Sequence, residues 1–430
     1  MMKRNKIAWI GLSLISSSVL LSQAVQAQTN VMFWYSGGTK PQKMMTRLIK
    51  AFNAKQNQYK VIASLQGNYQ ETYQKLQAGL ASGTAPALAL LSGSQAKLVA
   101  ERHLVQDLRP FIKPSFHFSD FVGAFRKQVT ASDGVITGLP AYGTTQIFYY
   151  NKKSLAAHGF TVKDLSTWQG VARVAKAVTR KNSQGRVTYC GWEPMWGADN
   201  LIDAAYSNGG RIISPDGKKI MFDSPKWVAV WDSFRKWIHE DKTMCIHYGG
   251  QGWEYWYKTI DDVMKNRALG YTGSSGDQGD LDFSRIGATT QPGWGAHSAA
   301  PEAGAQVLIM PKGTTGKAAE GAFAFMKFYT NAKNTAAWSM YTGYIPVRKS
   351  AEQDPDYKAY VKDHPQALVP LEQTAFATPT FVDPTKGKIL DALKIAADQV
   401  EIQNIPAAKA LKQAAKRAQR ALDRANRHHS

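Results

Sequence analysis

Residues 31–38 read VMFWYSGG, a short run of apolar and aromatic residues that ends in a serine and two glycines. Aromatic and β-branched residues favour a strand, and the glycines favour a turn. After the turn, Pro41 opens a segment in which Met45, Leu48 and Phe52 recur at the spacing of one helix face. This stretch therefore predicts a strand that is followed directly by a helix.

The same alternation continues downstream. The sequence predicts a second strand at 59–65, a second helix at 69–80 and a buried strand at 87–91. Strands that alternate with helices predict a doubly wound α/β domain with a parallel sheet. Ligands bind such sheets beyond the carboxyl ends of the strands, so the turns at 34–37, 67–70 and 92–95 are candidate ligand contacts.

A second α/β unit is predicted from about residue 135. Two short strands, 135–140 and 147–151, flank the segment AYGTT. Residues 226–240 predict a tryptophan-rich helix, and the glycine- and serine-rich residues 274–303 predict a loop. The tail from 409 to 427 predicts an amphipathic helix with a solvated cationic face.

Length and composition limit the classes of protein. A chain of 430 residues suggests two or three domains, and 44% hydrophobic with 20% charged residues excludes a mainly disordered, collagenous or coiled-coil protein. The 53 Lys and Arg against 32 Asp and Glu give a formal charge of +21. Such a charge raises encounter rates with anions but does not define a site.

The N-terminus has the pattern of a secretory signal peptide at residues 1–27. Lys3, Arg4 and Lys6 precede an apolar run, and small residues Val25 and Ala27 precede the expected cut. No cysteine lies at or near the expected cut, so a lipoprotein is excluded, and we expect a soluble periplasmic protein with a formal charge of +18.

Cys190 and Cys245 are candidates for a disulfide. In an oxidising compartment a cysteine pair is more often bridged than free. A separation of 55 residues does not establish contact, so free thiols stay an alternative at this point.

The sequence has no specific catalytic motif. It lacks a zinc-protease helix, a nucleophile elbow, a dinucleotide fingerprint and a phosphate loop. Aromatic residues are the notable feature instead. Trp227 and Trp231 have helical spacing typical of a core, whereas Trp196 lies in a broken loop where it can stack on a sugar, glyceryl or choline group.

Four stretches resemble the extracellular solute-binding proteins of ABC importers, in the group that takes up sugars and glycerol phosphates. They are FWYS at 33–36, the segment from FNA at 52–54 to GNY at 67–69, the segment from LP at 139–140 to YYNK at 149–152, and TGYIPV at 342–347. The GNY turn and the GWEPMW loop are similar to the branch that binds sn-glycerol 3-phosphate.

The resemblance implies a type II periplasmic binding fold, in which two doubly wound α/β lobes close on a ligand about a hinge. The implied N-terminal lobe is 28–142 plus about 286–343, the C-terminal lobe about 146–285 plus 346–430, and the hinge crossings lie near 142–145, 280–303 and 344–347. The implied ligand contacts are Trp34, Tyr35, Ser36, Gln70, Ser94, Thr144, Thr145, Trp196, Ser274, Ser275, Gly276, Gly304 and Tyr344.

Two departures from that branch bear on the ligand. Gln70 replaces an acidic residue in the GNY turn, and only Lys386 and Lys388 stand where the branch has an arginine for phosphate. Glycerol 3-phosphate, a glycerophosphodiester, a sugar and a polyol therefore stay open as ligands. We expect a monomer that docks on an inner-membrane permease, with no enzymatic activity, cofactor, metal or nucleic acid. A secreted hydrolase and a polyanion-binding surface protein are the alternatives from other classes.

Overall fold

A computed structural model describes residues 28–427, so the predicted signal peptide lies outside the described residues. The strands are β1 (Thr29–Tyr35), β2 (Tyr59–Leu65), β3 (Leu88–Leu91), β4 (Leu139–Asn151), β5 (Arg180–Lys181), β6 (Val187–Tyr189), β7 (Glu193–Pro194), β8 (Gly270–Ser274), β9 (Ile286–Thr289), β10 (Glu302–Ile309) and β11 (Thr378–Pro379).

The helices begin with α1 (Thr39–Lys55), α2 (Tyr69–Ser82), α3 (Gly93–Glu101), α4 (Gly123–Gln128), α5 (Lys152–Ala157), α6 (Trp168–Val178) and α7 (Ala198–Ser207). They continue with α8 (Pro225–Arg235), α9 (Glu254–Met264), α10 (Gly316–Tyr329), α11 (Ala332–Thr342), α12 (Pro355–Asp363), α13 (Val369–Gln373), α14 (Lys388–Glu401) and α15 (Ala407–Arg427). Within 28–427, no helix combines the length and apolar character needed to cross a bilayer.

The main sheet has the strand order β2-β1-β3-β10-β4-β8-β7, with β9 paired to β4 and β11 paired to β10. β1 is parallel to β2 and β3, whereas β10 is antiparallel to β3 and β4. The predicted parallel βαβαβ start of the chain is therefore present. β10, which comes from residues 302–309 much later in the chain, adds to this part of the sheet by antiparallel pairing with β3.

Two large hydrophobic cores define two α/β lobes, as the fold prediction requires. One core draws on residues between 31 and 142 and between 305 and 347. The other draws on residues between 148 and 294 and between 389 and 422. Trp227 and Trp231 are fully buried in the second core, as their helical spacing predicted.

One long strand replaces the two short strands predicted around AYGTT, so that prediction was wrong. The first half of β4 pairs with β10 and its second half pairs with β8 and β9. Its backbone groups therefore have partners on both sides of the expected break, and the chain stays extended. Gly143 is required in this strand, because a Cβ there would lie 2.4 Å from Phe125 Cζ.

Two further segments differ from or extend the sequence prediction. The predicted loop at 274–303 contains β9 and the start of β10, because antiparallel pairing with β4 orders it. The predicted tail helix is present as α15, and its alanine and leucine face is buried against α14 and α8. α15 is therefore part of the C-terminal core, with its lysines and arginines on the outer face.

Candidate functional site

A cleft of about 720 Å³ lies between the two lobes, within the usual range of small-molecule sites of about 300–1,000 Å³. Nine predicted contacts line it: Gln70, Ser94, Thr144, Thr145, Trp196, Ser274, Gly276, Gly304 and Tyr344. A smaller hollow of about 230 Å³ beside Lys181 and Asp241 contains none of the predicted residues.

Four of the predicted contacts are not among the residues that line the cleft: Trp34, Tyr35, Ser36 and Ser275. Tyr35 lies on the core face of β1, and strand alternation turns Trp34 to the opposite face. Ser36 is buried and accepts a hydrogen bond of 3.3 Å from the Thr72 hydroxyl. Ser275 is fully buried behind the cleft wall.

At the start of α2, Gln70 and its acidic neighbour Glu71 have different surroundings. Asn68 caps the helix by accepting from the Glu71 N–H at 2.8 Å. The Glu71 carboxylate accepts from the Gly67 N–H at 3.1 Å and pairs with Lys75 at 2.8 Å. Gln70 lines the cleft. The acidic residue thus stabilises the helix terminus. Gln70 Oε1 accepts from Gln95 Nε2 at 3.0 Å, so a ligand can use the second lone pair of that oxygen and the Gln70 Nε2 donors.

Trp196 is held in the cleft wall by a hydrogen bond and a ring contact. Its indole N–H donates to Asp398 Oδ1 at 2.8 Å, which ties the loop before α7 to α14. Its ring meets Tyr255 edge to face, with centroids 4.9 Å apart. The indole nitrogen is already satisfied, so the ring offers a ligand its apolar surface.

Sequence reasoning missed the aromatic start of α9. Trp253, Tyr255, Trp256 and Tyr257 all line the cleft. The run WEYWY at 253–257 was visible in the sequence. Four aromatic residues within five positions exceed what one buried helix face can take, and that signal could have identified them.

Tyr344 lies directly over Gly276. A Cβ at Gly276 would lie 2.2 Å from Tyr344 Cζ, so no larger residue fits beneath the ring. On its other side Tyr344 packs against Tyr142, with ring centroids 4.6 Å apart. These two contacts fix the ring at the bottom of the cleft between β4 and β8. Gly304 is similarly tight, since its Cβ would lie 2.1 Å from Thr380 Oγ1.

The cleft is acidic although the chain is basic. Seven carboxyl side chains and two lysines line it: Asp199, Asp203, Asp277, Asp280, Glu302, Asp383, Asp391, Lys386 and Lys394. Lys388, the other lysine considered from the sequence, begins α14 and is not in the lining. No arginine within residues 28–427 lines the cleft.

Burial controls the ionisation of three of these carboxyl groups. It raises the pKa of Asp203 to about 7 and the pKa of Asp277 and Glu302 to about 8, because desolvation disfavours the charged form. Asp203 accepts from the Glu302 N–H at 2.8 Å, and Asp277 accepts from the Trp256 indole at 2.7 Å. The wall therefore combines ionised carboxylates with carboxyl groups that hold a proton near neutral pH, and it suits a ligand that carries hydroxyl groups or a cation.

Cys190 and Cys245 form a disulfide with Cα atoms 6.3 Å apart. Next to it, Trp192 pairs as a β-bridge with Met244. The disulfide thus fastens the segment that leads to Trp196 to the segment that leads to α9, and both segments deliver aromatic residues to the cleft.

The chain is similar to known proteins along most of its length. The family model for bacterial extracellular solute-binding proteins matches residues 47–366. The chain is 25% identical over 385 residues to the sn-glycerol-3-phosphate-binding periplasmic protein UgpB of Rhizobium meliloti, covering 85% of this chain and 86% of that protein. It is 24% identical over 380 residues to UgpB of Escherichia coli O1:K1, covering 84% of each.

Solved structures share the fold. UgpB from Mycobacterium tuberculosis in complex with glycerophosphocholine superposes with a TM-score of 0.78 at 21% identity, covering 92% of this chain and 99% of that one. Maltose-bound MalE3 of T. maritima gives 0.79 at 18% identity, covering 91% and 99%. At these identities the likeness concerns the fold alone.

Proposed function

The chain belongs to the bacterial extracellular solute-binding proteins, whose family model spans most of it, and we propose that it is the receptor of an ABC importer for a glycerophosphodiester. Relatives along nearly the whole chain are named for binding sn-glycerol 3-phosphate. The observation that carries the proposal is the acidic and aromatic lining of the cleft. It favours a diester over glycerol 3-phosphate itself.

The charge of the cleft argues against a phosphate monoester. Near neutral pH a monoester carries close to two negative charges, and only Lys386 and Lys394 could offset them. The cleft has seven carboxyl groups, and those other than the largely protonated Asp277 and Glu302 would add to the repulsion. Arginine, whose planar fork suits a phosphate dianion, is not among the lining residues of 28–427. A phosphodiester carries one negative charge, which a single lysine can meet.

The second ester group of a diester, such as choline, can contact the aromatic and acidic residues of the cleft. A quaternary ammonium group such as choline is attracted to aromatic faces and to carboxylates. Trp196 and the aromatic start of α9 supply such faces, and Asp199 and Asp280 line the same cleft. The glycerol hydroxyls would donate to carboxyl groups and to Gln70. We therefore expect glycerophosphocholine to bind more tightly than glycerol 3-phosphate.

A sugar or polyol is the second candidate. Aromatic faces stack on the C–H faces of sugars, and carboxyl and amide oxygens accept from sugar hydroxyls. A neutral ligand leaves Lys386 and Lys394 without an anionic partner in the cleft. The two candidates therefore differ in whether binding depends on the positive charge of these lysines.

The receptor works without breaking a bond. Ligand contacts from both lobes favour the closed arrangement, and closure creates the surface that docks on the membrane permease. We infer that the chain crosses between lobes near 142–145, 280–303 and 344–347. The continuous strand β4 and the bridge between Gly143 and Ile345 support crossings at two of these places. The family is extracellular, and the proposal places the mature chain as a monomer in the periplasm after cleavage following Ala27.

Isothermal titration calorimetry tests the ligand class. The oxidised mature protein is first unfolded in urea and refolded to remove any carried ligand. It is then titrated with glycerophosphocholine, glycerol 3-phosphate and maltose. We expect glycerophosphocholine to bind at least about tenfold more tightly than glycerol 3-phosphate, a difference of about 1.4 kcal/mol. Binding of maltose alone would establish the sugar candidate. Equal or tighter binding of glycerol 3-phosphate would contradict the charge argument.

Lys386→Met separates the two ligand candidates further. This change removes one of the two cleft lysines. A diester should lose affinity in the variant, whereas a neutral sugar should not. Lys388→Met, two residues away and outside the cleft lining, is the matched control.

A further inference from the structure

A histidine and two carboxyl side chains, His247, Glu193 and Asp262, meet on the C-terminal lobe outside the cleft. His247 Nε2 lies 2.8 Å from Asp262 Oδ2 and 3.9 Å from Glu193 Oε2. One ligand atom from each of the three residues falls within 4.8 Å of the others. They come from β7, the segment before α9 and the last turns of α9, and their separation along the chain hid the cluster from motif searches.

Glu193 is the unusual member of the group. Its side chain is 2% exposed. Within 28–427 no N–H or hydroxyl group donates to Oε2, and the carboxyl group of Glu193 interacts with the carboxyl group of Asp262. A buried carboxyl oxygen without a donor is costly. Oε2 faces His247 and a second carboxylate, Asp262, so a cation held between the three would satisfy it.

The surroundings orient the group. Arg267 donates to Asp262 Oδ1 at 2.6 Å, which leaves Oδ2 directed towards His247. Arg267 also pairs with Asp261 at 2.8 Å. Such an outer contact to the second oxygen of a carboxylate is typical support for a metal ligand. The Cys190 and Cys245 sulfurs also lie near Glu193 but are joined to each other, so they are not available as ligands.

We propose that Glu193, His247 and Asp262 bind a Zn²⁺ ion. Zinc lies about 2.0–2.2 Å from nitrogen and oxygen ligands, so the ligand atoms of a tetrahedral ion are about 3.3–3.6 Å apart. The separations of His247 Nε2 from Asp262 Oδ2 and Glu193 Oε2, 2.8 Å and 3.9 Å, lie on either side of this spacing, so a small rotation of the partly exposed imidazole would admit the ion. The histidine favours zinc over Mg²⁺ and Ca²⁺, which take oxygen ligands. His247 and Asp262 are 34% and 17% exposed, which leaves a solvent side for ion entry and a water as fourth ligand.

The ion would stabilise the element that carries the aromatic wall. Asp262 lies near the C-terminal end of α9, and Tyr255, Trp256 and Tyr257 lie at its beginning. His247 lies in the segment before that helix. Zinc would thus join α9 to β7 beside the disulfide. This inference rests on the cluster alone and does not depend on which solute occupies the cleft.

Equilibrium dialysis against Zn²⁺, followed by metal analysis, tests the site. The oxidised mature protein is used without an affinity tag after treatment with EDTA. All variants carry His428→Ala and His429→Ala, since that histidine pair can itself bind metal. We expect one zinc per chain. His247→Gln should weaken binding by at least about tenfold, and Glu193→Gln by a similar factor. The exposed His297→Gln should have no effect.

Thermal unfolding gives a second readout. Zinc should raise the midpoint of the parent protein and of His297→Gln but not that of His247→Gln, because an ion bound only to the folded state stabilises it. His247 is partly exposed, so its glutamine variant keeps the experiment informative even where Glu193→Gln folds poorly. Absence of saturable zinc binding, or equal affinity in His247→Gln and the parent, would overturn the proposal.

Discussion

Trp196 is the single residue from which we expect the largest loss of affinity. Its ring faces the cleft while its indole N–H is held by Asp398. Trp196→Ala should weaken binding of the solute by more than about tenfold, since truncating a buried aromatic contact typically costs about 2 kcal/mol or more. Calorimetry with the ligand found for the parent measures this loss.

Two further variants test whether Trp196 stacks on the solute or only holds the cleft wall in place. Trp196→Phe keeps an aromatic face but loses the bond to Asp398, so it should retain most of the affinity. Phe376→Ala removes an exposed aromatic side chain outside the cleft lining and should leave affinity unchanged. Unaltered affinity in Trp196→Ala would show that the ring does not contact the solute.

Gly276 tests the position of Tyr344. Gly276→Ala should displace the tyrosine ring, because the added Cβ would lie 2.2 Å from Cζ and 2.6 Å from the hydroxyl oxygen. Since the ring forms part of the cleft, affinity should fall by about tenfold, while the lobes stay folded. Gly123→Ala is the control, as nothing lies within 4 Å of its added Cβ. Wild-type affinity in Gly276→Ala would mean that Tyr344 has room to move aside.

At the scale of elements, the sequence predicted the features that local patterns determine, but not those that long-range strand pairing determines. The strand and helix over residues 31–55 follow from composition and periodicity, and both are present. The continuity of β4 depends on β10, β8 and β9, which lie more than 100 residues away. A turn-rich sequence such as AYGTT stays extended only where such partners supply its hydrogen bonds.

The residues of the candidate site also divide into those that local sequence predicted and those that only the folded chain brings together. Residues at turns beside strand ends, such as Gln70 and Ser94, line the cleft as predicted. Motif position did not show that Tyr35 and Ser36 are buried, or that Trp34, on the opposite face of β1, lies outside the cleft lining. The carboxyl groups of the cleft come from scattered segments, and only the assembled lobes bring Asp203 and Glu302 together.

Removal of the disulfide between Cys190 and Cys245 should lower the stability of the C-terminal lobe. The disulfide closes a loop over a separation of 55 residues, and cross-links of that length stabilise by about 2–4 kcal/mol. Cys190→Ser with Cys245→Ser should lower the free energy of unfolding in urea by that amount. The solute affinity should also fall, because both bridged segments lead to aromatic residues of the cleft. A variant as stable as the parent would show that packing alone holds these segments.

The charge of the whole molecule and the charge of its cleft have opposite signs. The basic residues of α15 lie on the outer face of the C-terminal lobe, whereas the cleft is lined mainly by carboxyl groups. At physiological ionic strength, exposed charges are screened over about 8 Å. Affinity for a zwitterionic or neutral solute should therefore change little between low and high salt. A steep loss of affinity with salt would instead favour the polyanion-binding alternative.

The buried carboxyl groups make stability depend on pH in an unusual direction. Burial raises the pKa of Asp277 from 3.8 to about 8, so the folded state holds a proton that the unfolded state releases. Its contribution is then full below about pH 4 and is lost as the pH rises towards 8. Asp203 and Glu302 act in the same direction, since their pKa values are raised to about 7 and about 8. The solute-free protein should thus become less stable as the pH rises from 5 to 8.

Asp277→Asn isolates the contribution of one group. The asparagine keeps an oxygen for the Trp256 indole, and its amide can donate to the Tyr271 hydroxyl that now donates to Asp277. The variant cannot ionise at this position. Its free energy of unfolding should therefore fall less than that of the parent between pH 5 and 8, by an amount on the order of a few kcal/mol. Urea titrations at the two pH values measure this difference. Parallel losses in the two proteins would place the pH dependence in other groups, such as the buried carboxyl groups of Asp203, Glu302, Glu193 and Glu401, rather than in Asp277.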